Sequence, residues 1–215
     1  MNYATQGEGK AMSLFPMFLK LEGRSCLVVG AGKIGESKIR SLLAAHATVR
    51  VVAPSATSAV SEWARAGIVT WVAREFDLSD LDATFLVVAA ASAIEVNDQV
   101  YREAQRRQIL CNVVDDPERC DFYYPAVVRR GALQVAISTG GKSPALAQRL
   151  RREFERWLAP VYAGWLEELG KARSELFRTP LEAEHRRHLL HQLASSEAFL
   201  TRRGSESSQE AHHER

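Results

Sequence analysis

The feature that most constrains the fold is a buried strand that runs directly into a glycine-rich turn and an amphipathic helix. Cys26-Leu27-Val28-Val29 is a continuous apolar run, which is typical of a strand covered on both faces. The turn Gly30-Ala31-Gly32-Lys33-Ile34-Gly35 follows at once. Ile39 and Leu42 then share one face of a helix, whereas Lys38 points away from that face. This order predicts the opening unit of a parallel α/β sheet.

The three glycines of the turn suit a bound dinucleotide. Gly30 permits the tight turn, Gly32 lets the backbone approach a pyrophosphate, and Gly35 lets helix and strand pack closely. The N–H groups at the start of the helix then face the phosphate charge. A lone G-x-G-x-x-G is a weak motif, and a tight turn without a ligand is the alternative. The strand before it and the helix after it favour binding of a nicotinamide dinucleotide, with NAD as the expected cofactor.

The rest of the chain repeats the alternation and then changes. Further apolar strands are predicted at 49–53, 68–72, 85–89 and 109–114, with helices between them, which implies parallel pairing through right-handed crossovers. After Asp121 an alternating strand and a helix beginning at Ser143-Pro144 are predicted. The fold class is therefore α/β: a Rossmann-type doubly wound parallel sheet, a small α+β region and a C-terminal helical domain.

The predicted divisions follow from these changes of pattern. They are a disordered tail at 1–13, the Rossmann domain at 14–121, the α+β region at 122–158, the helical domain at 159–203 and a disordered tail at 204–215. The helix after Pro144 is expected to bury one apolar face, and three leucines of the last helix are further core candidates. These residues are Leu146, Leu150, Phe154 and Leu158, and Leu189, Leu190 and Leu193.

The residues after the second strand bear on which dinucleotide is bound. Sites selective for NAD commonly place an Asp or Glu about 20 residues beyond the first strand, where it binds the ribose hydroxyls. This chain has Val52-Ala53-Pro54-Ser55 there and no acid. Ser55 offers a hydroxyl, and Arg50 is either a partner for a 2′-phosphate or a solvated strand residue. The motif leaves NAD and NADP open.

A candidate catalytic acid follows the strand at 109–114. The sequence there is Asn112-Val113-Val114-Asp115-Asp116-Pro117. Rossmann ligands bind beyond the carboxyl ends of the strands, so a carboxylate at Asp115 is expected near the nicotinamide end of the cofactor. There it can accept a proton when a hydride is transferred. A simple Asp-Pro turn is the alternative.

A second glycine loop, Ser138-Thr139-Gly140-Gly141-Lys142-Ser143, precedes the proline-initiated helix. It is not a P-loop, because the G-x-x-x-x-G-K-[ST] pattern requires glycine where this chain has Ala136. A glycine loop at a helix start, with a lysine beside it, still suits an anion. The nearby arginines favour either a polyanionic substrate or a solvated, salt-bridged helix face. They are Arg129, Arg130, Arg149, Arg152 and Arg156.

Composition argues against several other classes. The net charge of +2, without a recognition helix or interleaved aromatic and basic residues, disfavours nucleic acid as a partner. No apolar run approaches the ~20 residues of a membrane span, and the first residues lack a secretion signal. Three cysteines without a C-x-x-C pair favour reduced thiols and a cytoplasmic location. No metal site is predicted, because His185, His188 and His191 lie among arginines on a basic helix.

Four segments resemble the precorrin-2 dehydrogenase family of siroheme biosynthesis, which includes the N-terminal module of bacterial siroheme synthase and stand-alone dehydrogenase/ferrochelatases. They are Phe15-Pro16-Met17-Phe18-Leu19-Lys20-Leu21, Val28-Val29-Gly30-Ala31-Gly32-Lys33-Ile34-Gly35, Cys111-Asn112-Val113-Val114-Asp115 and Ser138-Thr139-Gly140-Gly141-Lys142-Ser143-Pro144. The resemblance extends over about Leu14 to Leu158, and the last two segments are the most specific. The helical remainder is similar in character only.

This resemblance implies NAD-dependent oxidation of the tetrapyrrole precorrin-2 to sirohydrochlorin. In some members it also implies insertion of ferrous iron, as a substrate, to give siroheme. It implies a homodimer in which 122–158 is the dimerisation region, with Asp115 as the catalytic residue. The implied NAD contacts are Gly30, Gly32, Lys33, Ile34, Gly35, Pro54 and Ser55. The implied substrate contacts are Asn112, Ser138, Thr139, Gly140, Gly141, Lys142 and Ser143.

Two competing hypotheses remain open. One is a dehydrogenase only, with chelation by a separate enzyme. The other is a non-catalytic NAD-sensing module, although such modules usually carry the acidic ribose ligand missing here and give no reason for Asp115. The sequence after the helical region contains no methyltransferase module, so we expect precorrin-2 to come from a separate enzyme.

Overall fold

The computed structural model describes residues 14–195 and 197–199, which divide into two compact units after Tyr124. The sequence pattern placed this division near Asp121. The predicted disordered tails at 1–13 and 204–215 lie outside the described residues.

The first unit is a five-stranded sheet with helices on both faces. Its strands are β1 (Ser25–Ala31), β2 (Thr48–Ala56), β3 (Thr70–Val72), β4 (Leu86–Ala89) and β5 (Leu110–Val113). Its helices are α1 (Lys33–Leu43), α2 (Ser58–Arg65) and α3 (Ile94–Arg106). The strand order is β3-β2-β1-β4-β5, and all neighbouring pairs are parallel. The predicted doubly wound sheet is confirmed.

The two faces of the sheet explain why its strands are apolar throughout. Alternate residues of β1 point to opposite faces, with Val28 packed in one core cluster and Leu27 in the other. The first cluster includes Ile39 of α1, and the second includes Val100 of α3. Every central strand is therefore covered on both sides, as the unbroken apolar runs predicted.

The second strand is longer than the sequence pattern predicted. We expected Pro54 to end it after Ala53, but β2 continues to Ala56, which pairs with Ala31 beyond an irregularity in β1. Pro54 is tolerated because β3 pairs with β2 only as far as Val52, so no ladder hydrogen bond is lost. The extension carries Pro54 and Ser55 past the edge of β3, where both are exposed.

A buried aspartate ties β2 to the segment after β3. The Asp80 carboxylate accepts two hydrogen bonds of 2.7 Å from Arg74 and one of 2.9 Å from the backbone N–H of Asp77. Arg50 donates to the Asp80 carboxylate and carbonyl. Neither reading of Arg50 was right, because its guanidinium is partly buried and paired in mid-strand. Burial alone would raise the pKa of Asp80, but its hydrogen bonds and the two guanidiniums hold it below its ordinary value.

The described part of the second unit contains a hairpin followed by helices. The strands β6 (Ala126–Arg130) and β7 (Leu133–Ile137) are antiparallel, and α4 (Pro144–Trp157), α5 (Tyr162–Arg178) and α6 (Ala183–Leu193) follow. Arg130 fastens the hairpin to the end of α4, because its guanidinium donates to the carbonyls of Glu155 and Leu158 at 2.6 and 2.8 Å. An α+β arrangement followed by helices was predicted here.

The predicted core of this unit was partly wrong. Leu158 is buried, but Leu146 and Phe154 are 41% and 38% exposed, and Leu193 is 40% exposed. The described neighbours of α4 therefore leave part of its apolar stripe uncovered. Ala147, which the pattern did not single out, is the buried residue of that helix.

Within the two ranges that the structure describes, no helix combines the length and apolar character needed to cross a membrane.

We predict that Asp80→Asn lowers the free energy of unfolding by about 3 kcal/mol, because it leaves Arg50 and Arg74 without their carboxylate. Because the folded-state pKa of Asp80 is depressed, its contribution is present above the unfolded value of 3.8 and is lost as the pH falls through the folded-state value. Urea unfolding at pH 7 and in acid measures both effects.

The matched control is Asp82→Asn, which removes an exposed partner of Arg107 and should cost less than about 1 kcal/mol. Equal losses for the two variants would contradict the assigned role of Asp80.

Candidate active site

The order of the strands locates the site. The chain runs outward from β1 through β2 to β3 and then returns to place β4 on the other side of β1. The connections therefore diverge at the carboxyl ends of β1 and β4, which leaves a crevice there. In open α/β sheets ligands bind at this point. The turn after β1 and the loops after β4 and β5 border it.

Two glycines of the turn are required by the protein itself. Gly30 has φ +103°, and a Cβ there would overlap the carbonyl of Ala90 and lie 2.7 Å from the nitrogen of Ala91. A Cβ on Gly35 would overlap the carbonyl oxygen of Gly30. These contacts press the turn against the loop after β4 and the first turn of α1 against β1.

Gly32 is different, because nothing in the protein explains its lack of a side chain. It precedes α1 with φ −74°, which any residue can adopt, and a Cβ there would meet no atom within 4 Å. No side chain caps the helix at this end. The first N–H groups of α1 therefore face open space beside a residue without a Cβ, as a pyrophosphate would require. The residues present fit a dinucleotide.

The other predicted cofactor residues lie around this helix start. Lys33 is exposed, Ile34 is 50% exposed, and Pro54 and Ser55 are exposed at the end of β2. No acid follows β2, but sequence reasoning missed Glu36, which reaches this end of the sheet from α1. Its hydrogen bonds to Thr57 and then to Arg40 lower the pKa of its carboxyl. Only the tertiary structure brings Glu36 to the end of β2.

The loop after β4 is held rigidly at the crevice. The N–H of Ala90 donates to Val29 at 2.7 Å, and the side chain of Asn97 both accepts from and donates to the backbone of Ala91 at 3.0 Å. The Asn97 amide thus satisfies both backbone groups of Ala91, as a paired backbone segment would, and so holds the loop in place. Sequence reasoning did not single out this asparagine.

Asp115 lies directly beyond the last strand of the sheet, as predicted. The N–H of Val114 still donates to Ala89 of β4, at 3.0 Å, so sheet pairing continues up to the residue before the acid. Asp115 is exposed and has φ +61°, in the left-handed region. A non-glycine residue in this region is uncommon, although aspartate tolerates it better than most. Such a residue is often found at a functional site.

The segment 113–122, hereafter the Asp115 loop, is fixed by partly buried polar contacts. The Asn112 amide donates to the carbonyl of Phe122 at 2.8 Å and to the Cys120 sulfur at 3.2 Å. The Cys120 thiol in turn contacts the carbonyls of Val113 and Asp116 at 3.2 and 3.1 Å. Burial raises the pKa of this thiol, so it remains a donor. From the sequence, Cys120 was interpreted only as one of three reduced thiols, and these contacts were not predicted.

These contacts bear on one residue that was predicted to contact substrate. The side chain of Asn112 is buried, and its amide is engaged within the loop. The neighbouring carboxylate of Asp116 pairs with Arg119 at 3.4 Å. Among the described residues no ion pair engages Asp115.

The glycine loop of the second unit is more self-contained than predicted. Gly140 and Gly141 have φ +60° and +78°, with open space where a side chain would be. The Ser138 hydroxyl accepts from Gly140, Thr139 from Ser143, and Ser143 from Leu146. Several N–H groups predicted to hold an anion are thus already satisfied. The exposed side chain of Lys142 remains.

The arginines near this loop divide into two groups. Arg130 binds the end of α4, and Arg149 pairs with Glu153 at 3.1 Å. Arg129 and Arg152 are exposed and have no carboxylate partner within the described ranges. The salt-bridged helix face considered from the sequence therefore holds for Arg149, whereas binding of a polyanionic substrate by Arg129 and Arg152 stays a prediction.

Comparison with known proteins identifies the family. Residues 17–126 match the family described as "Putative NAD(P)-binding", which is more than half of the chain, and residues 130–156 match the one described as "Sirohaem biosynthesis protein central". The chain belongs to this NAD(P)-binding family. Its first unit is an NAD(P)-binding domain, and the predicted dinucleotide cofactor is confirmed.

This chain is also similar to two curated relatives and to one solved structure. Siroheme synthase 2 of Serratia proteamaculans (strain 568) is 43% identical over 74% of this chain and 34% of its own length. Siroheme synthase 1 of Aeromonas hydrophila is 41% identical over 82% and 38%. The structure of "SirC, precorrin-2 dehydrogenase" is 28% identical with a TM-score of 0.75, over 85% of this chain and 90% of that one.

This chain thus spans about a third of the length of the curated relatives it matches. The resemblance to the precorrin-2 dehydrogenase family, carried by the sequence motifs, is confirmed.

We predict that Gly32→Ala folds like the parent protein but binds NAD at least about tenfold more weakly, a loss of about 1.4 kcal/mol. Its Cβ would meet no protein atom yet would occupy the approach to the phosphates. Gly30→Ala should instead lower the free energy of unfolding by about 1–3 kcal/mol, through strain and backbone overlap. Urea unfolding and NAD calorimetry separate the two effects, and parental NAD affinity in Gly32→Ala would refute the phosphate site.

Proposed function

We propose that the protein catalyses NAD-dependent oxidation of precorrin-2 to sirohydrochlorin in siroheme biosynthesis. The observation that carries the proposal is the position of Asp115: an exposed carboxylate on a strained, firmly braced residue at the end of β5, one strand from the crevice that receives the dinucleotide. The similarity to siroheme synthases, which extends over most of this chain, supports the same reaction.

The chemistry requires one group from the protein. NAD, when bound, accepts the hydride that leaves the tetrapyrrole. Loss of the hydride leaves a ring proton to be removed, and the Asp115 carboxylate is the acceptor. The partly buried contacts of Asn112 and Cys120 hold the Asp115 loop in one conformation, which keeps this acceptor oriented before substrate arrives.

The cations of the second unit supply contacts for the carboxylates of the substrate. Arg129, Lys142 and Arg152 are exposed, and no acid of the described residues pairs with them. Charged groups without internal partners suit a ligand rich in carboxylates. We assign substrate binding to these side chains and to the glycine loop 138–143.

A non-catalytic NAD sensor is the competing function. Such a module needs the turn and α1 but has no use for a braced carboxylate at the end of β5. We therefore propose an enzyme rather than a sensor. The three cysteines are unpaired, and for this reason we propose that the enzyme works in a reducing compartment, the cytoplasm.

We predict that Asp115→Asn lowers kcat for precorrin-2 oxidation about 10²–10⁴-fold while NAD affinity stays unchanged. Asparagine keeps the size of the side chain and tolerates a positive φ, so the loop is preserved. Asp116→Asn is the matched control and should change kcat only a few-fold, because Asp116 serves Arg119. Formation of sirohydrochlorin is followed by absorbance.

Each outcome of this assay has one interpretation. Parental activity in Asp115→Asn would remove Asp115 from the mechanism. NAD binding without any sirohydrochlorin from the parent protein would favour the sensor. Ferrous iron is then added to the product as a second stage, and failure of that stage alone indicates a dehydrogenase whose product is metallated by a separate enzyme.

We also propose that the protein is a homodimer that associates through the second unit. Large apolar side chains are exposed there, with Trp157 68% and Phe177 54% exposed, in addition to Leu146. Apolar side chains left uncovered on a small unit are typical of a surface that a partner buries.

We predict that sedimentation equilibrium shows a dimer and that Trp157→Asp weakens it at least about tenfold, since a charge would be buried in the interface. Ile68→Asp, at a residue 52% exposed in the first unit, is the control and should leave the association unchanged. A monomer at all concentrations would overturn the assignment.

A further inference from the structure

The loop that carries the proposed acid is closed at its base on the edge of the sheet. Strand β5 is an edge strand, and Asn112 forms an isolated antiparallel bridge with Cys120. The N–H of Asp121 donates to the carbonyl of Cys111 at 2.8 Å, and the N–H of Cys111 donates to the Asp121 carboxylate at 2.9 Å. The chain therefore leaves β5 and returns to it, and Asp115 lies in the tip between these contacts.

Arg119 ties this tip to helix α3. Its guanidinium lies 3.3 Å from the Asp98 carboxylate of α3 and 3.4 Å from the carboxylate of Asp116, the residue after Asp115. The same guanidinium lies over the ring of Tyr101 in α3, with its carbon 5.9 Å from the ring centroid. The backbone N–H of Arg119 also donates to the Asp116 carbonyl at 3.2 Å. Arg119 thus links the residue beside the acid to two side chains of one helix.

Helix α3 also holds another loop of the crevice. Asn97, the neighbour of Asp98 in the helix, exchanges two hydrogen bonds of 3.0 Å with the backbone of Ala91 in the loop after β4. That loop lies against the dinucleotide turn, since a Cβ at Gly30 would overlap it. Two consecutive residues of α3 therefore fix the loop that borders the cofactor and, through Arg119, the loop that carries the acid.

The setting of Arg119 differs from that of an ordinary surface ion pair, which contributes little free energy. Its side chain is 35% exposed, and its planar guanidinium contacts two carboxylates and a ring, which together restrict its orientation. The two carboxylates belong to different elements, so the arginine fixes a loop rather than a helix face. By contrast, Arg102 pairs with the same Asp98 carboxylate at 2.9 Å but joins two positions within α3.

We propose that Arg119 is a positioning residue: paired with Asp98, it holds the Asp115 loop on the helix that also holds the loop after β4, and so fixes the acid relative to the dinucleotide. The proposal rests on the proposed function, in which Asp115 accepts the ring proton. Placement of a reacting group matters because a displacement of about 1 Å can lower a rate on the order of 10²-fold. The effect of Arg119 is therefore on kcat rather than on binding.

The first test is kinetic. Arg119→Met removes the charge and keeps a long side chain, and it should lower kcat for precorrin-2 oxidation about five- to tenfold with unchanged KM and NAD affinity. Arg102→Met is the matched control, because it removes the other ion pair of the Asp98 carboxylate, and it should leave kcat unchanged. Arg119→Lys should restore part of the loss, since one ammonium cannot hold both carboxylates in a fixed orientation. A parental kcat in Arg119→Met would overturn the role.

A double-mutant cycle tests the partner. Asp98→Asn should lower kcat by a factor similar to that of Arg119→Met, and the two substitutions together should be no worse than either alone, because both remove one contact. Additive losses would mean that Arg119 acts through something other than Asp98 and would overturn the proposal.

Labelling of Cys120 separates this inference from the proposed function. The Cys120 thiol contacts the carbonyls of Val113 and Asp116 within the loop, so opening of the loop exposes it to a thiol reagent. Cys26 and Cys111 are fully buried and serve as internal references. The reaction of each thiol with N-ethylmaleimide is followed by mass spectrometry of its peptide.

The rate of labelling at Cys120 should rise about threefold or more in Arg119→Met and stay unchanged in Arg102→Met, whether or not precorrin-2 is the substrate. An unchanged rate in Arg119→Met refutes the tether. A faster rate in a protein that does not oxidise precorrin-2 refutes only the function. A faster rate together with parental kcat shows that Arg119 stabilises the loop without positioning the acid, and this also refutes the inference.

Discussion

The site depends on one close backbone contact. The turn after β1 lies directly against the loop after β4, and the carbonyl of Gly30 lies against the first turn of α1, with no room for a Cβ at Gly30 or Gly35. The hydrogen bond from Ala90 to Val29 and the Asn97 side chain keep that loop in place. Because the packing is this tight, the uncapped start of α1 is brought to the point where the strand connections diverge. Binding of the dinucleotide follows from this arrangement.

A second constraint fixes the acid. Parallel pairing between β4 and β5 continues as far as Val114, and beyond it the chain must leave the sheet within one residue. The left-handed conformation of Asp115 makes that reversal. A buried amide, a protonated thiol and an isolated bridge between Asn112 and Cys120 stabilise the strained loop. Rigidity near a proton acceptor has functional value, since a misdirected carboxylate accepts protons poorly.

The second unit shows how internal pairing limits what a sequence motif can offer to a ligand. Its glycine loop contains hydroxyl and N–H groups at the spacing expected of an anion site, yet the hydroxyls satisfy several of the N–H groups. Its arginines are divided between internal partners and solvent. Contacts between residues therefore decide which cations remain exposed, and a linear motif does not predict those contacts.

The amino-acid sequence by itself determined the doubly wound sheet, the glycine turn and the position of Asp115 at a strand end, because these follow from apolar periodicity and from backbone conformations that few residues adopt. Domain limits and the remaining site residues stay proposals. The tertiary structure alone decided the pairing of Arg50 with Asp80, the bracing by Asn112 and Cys120, the exposed apolar face of α4, and the pairing of Arg119 with Asp98. Each of these joins residues on different elements or loops or depends on what covers a helix face, and local periodicity carries no information about either.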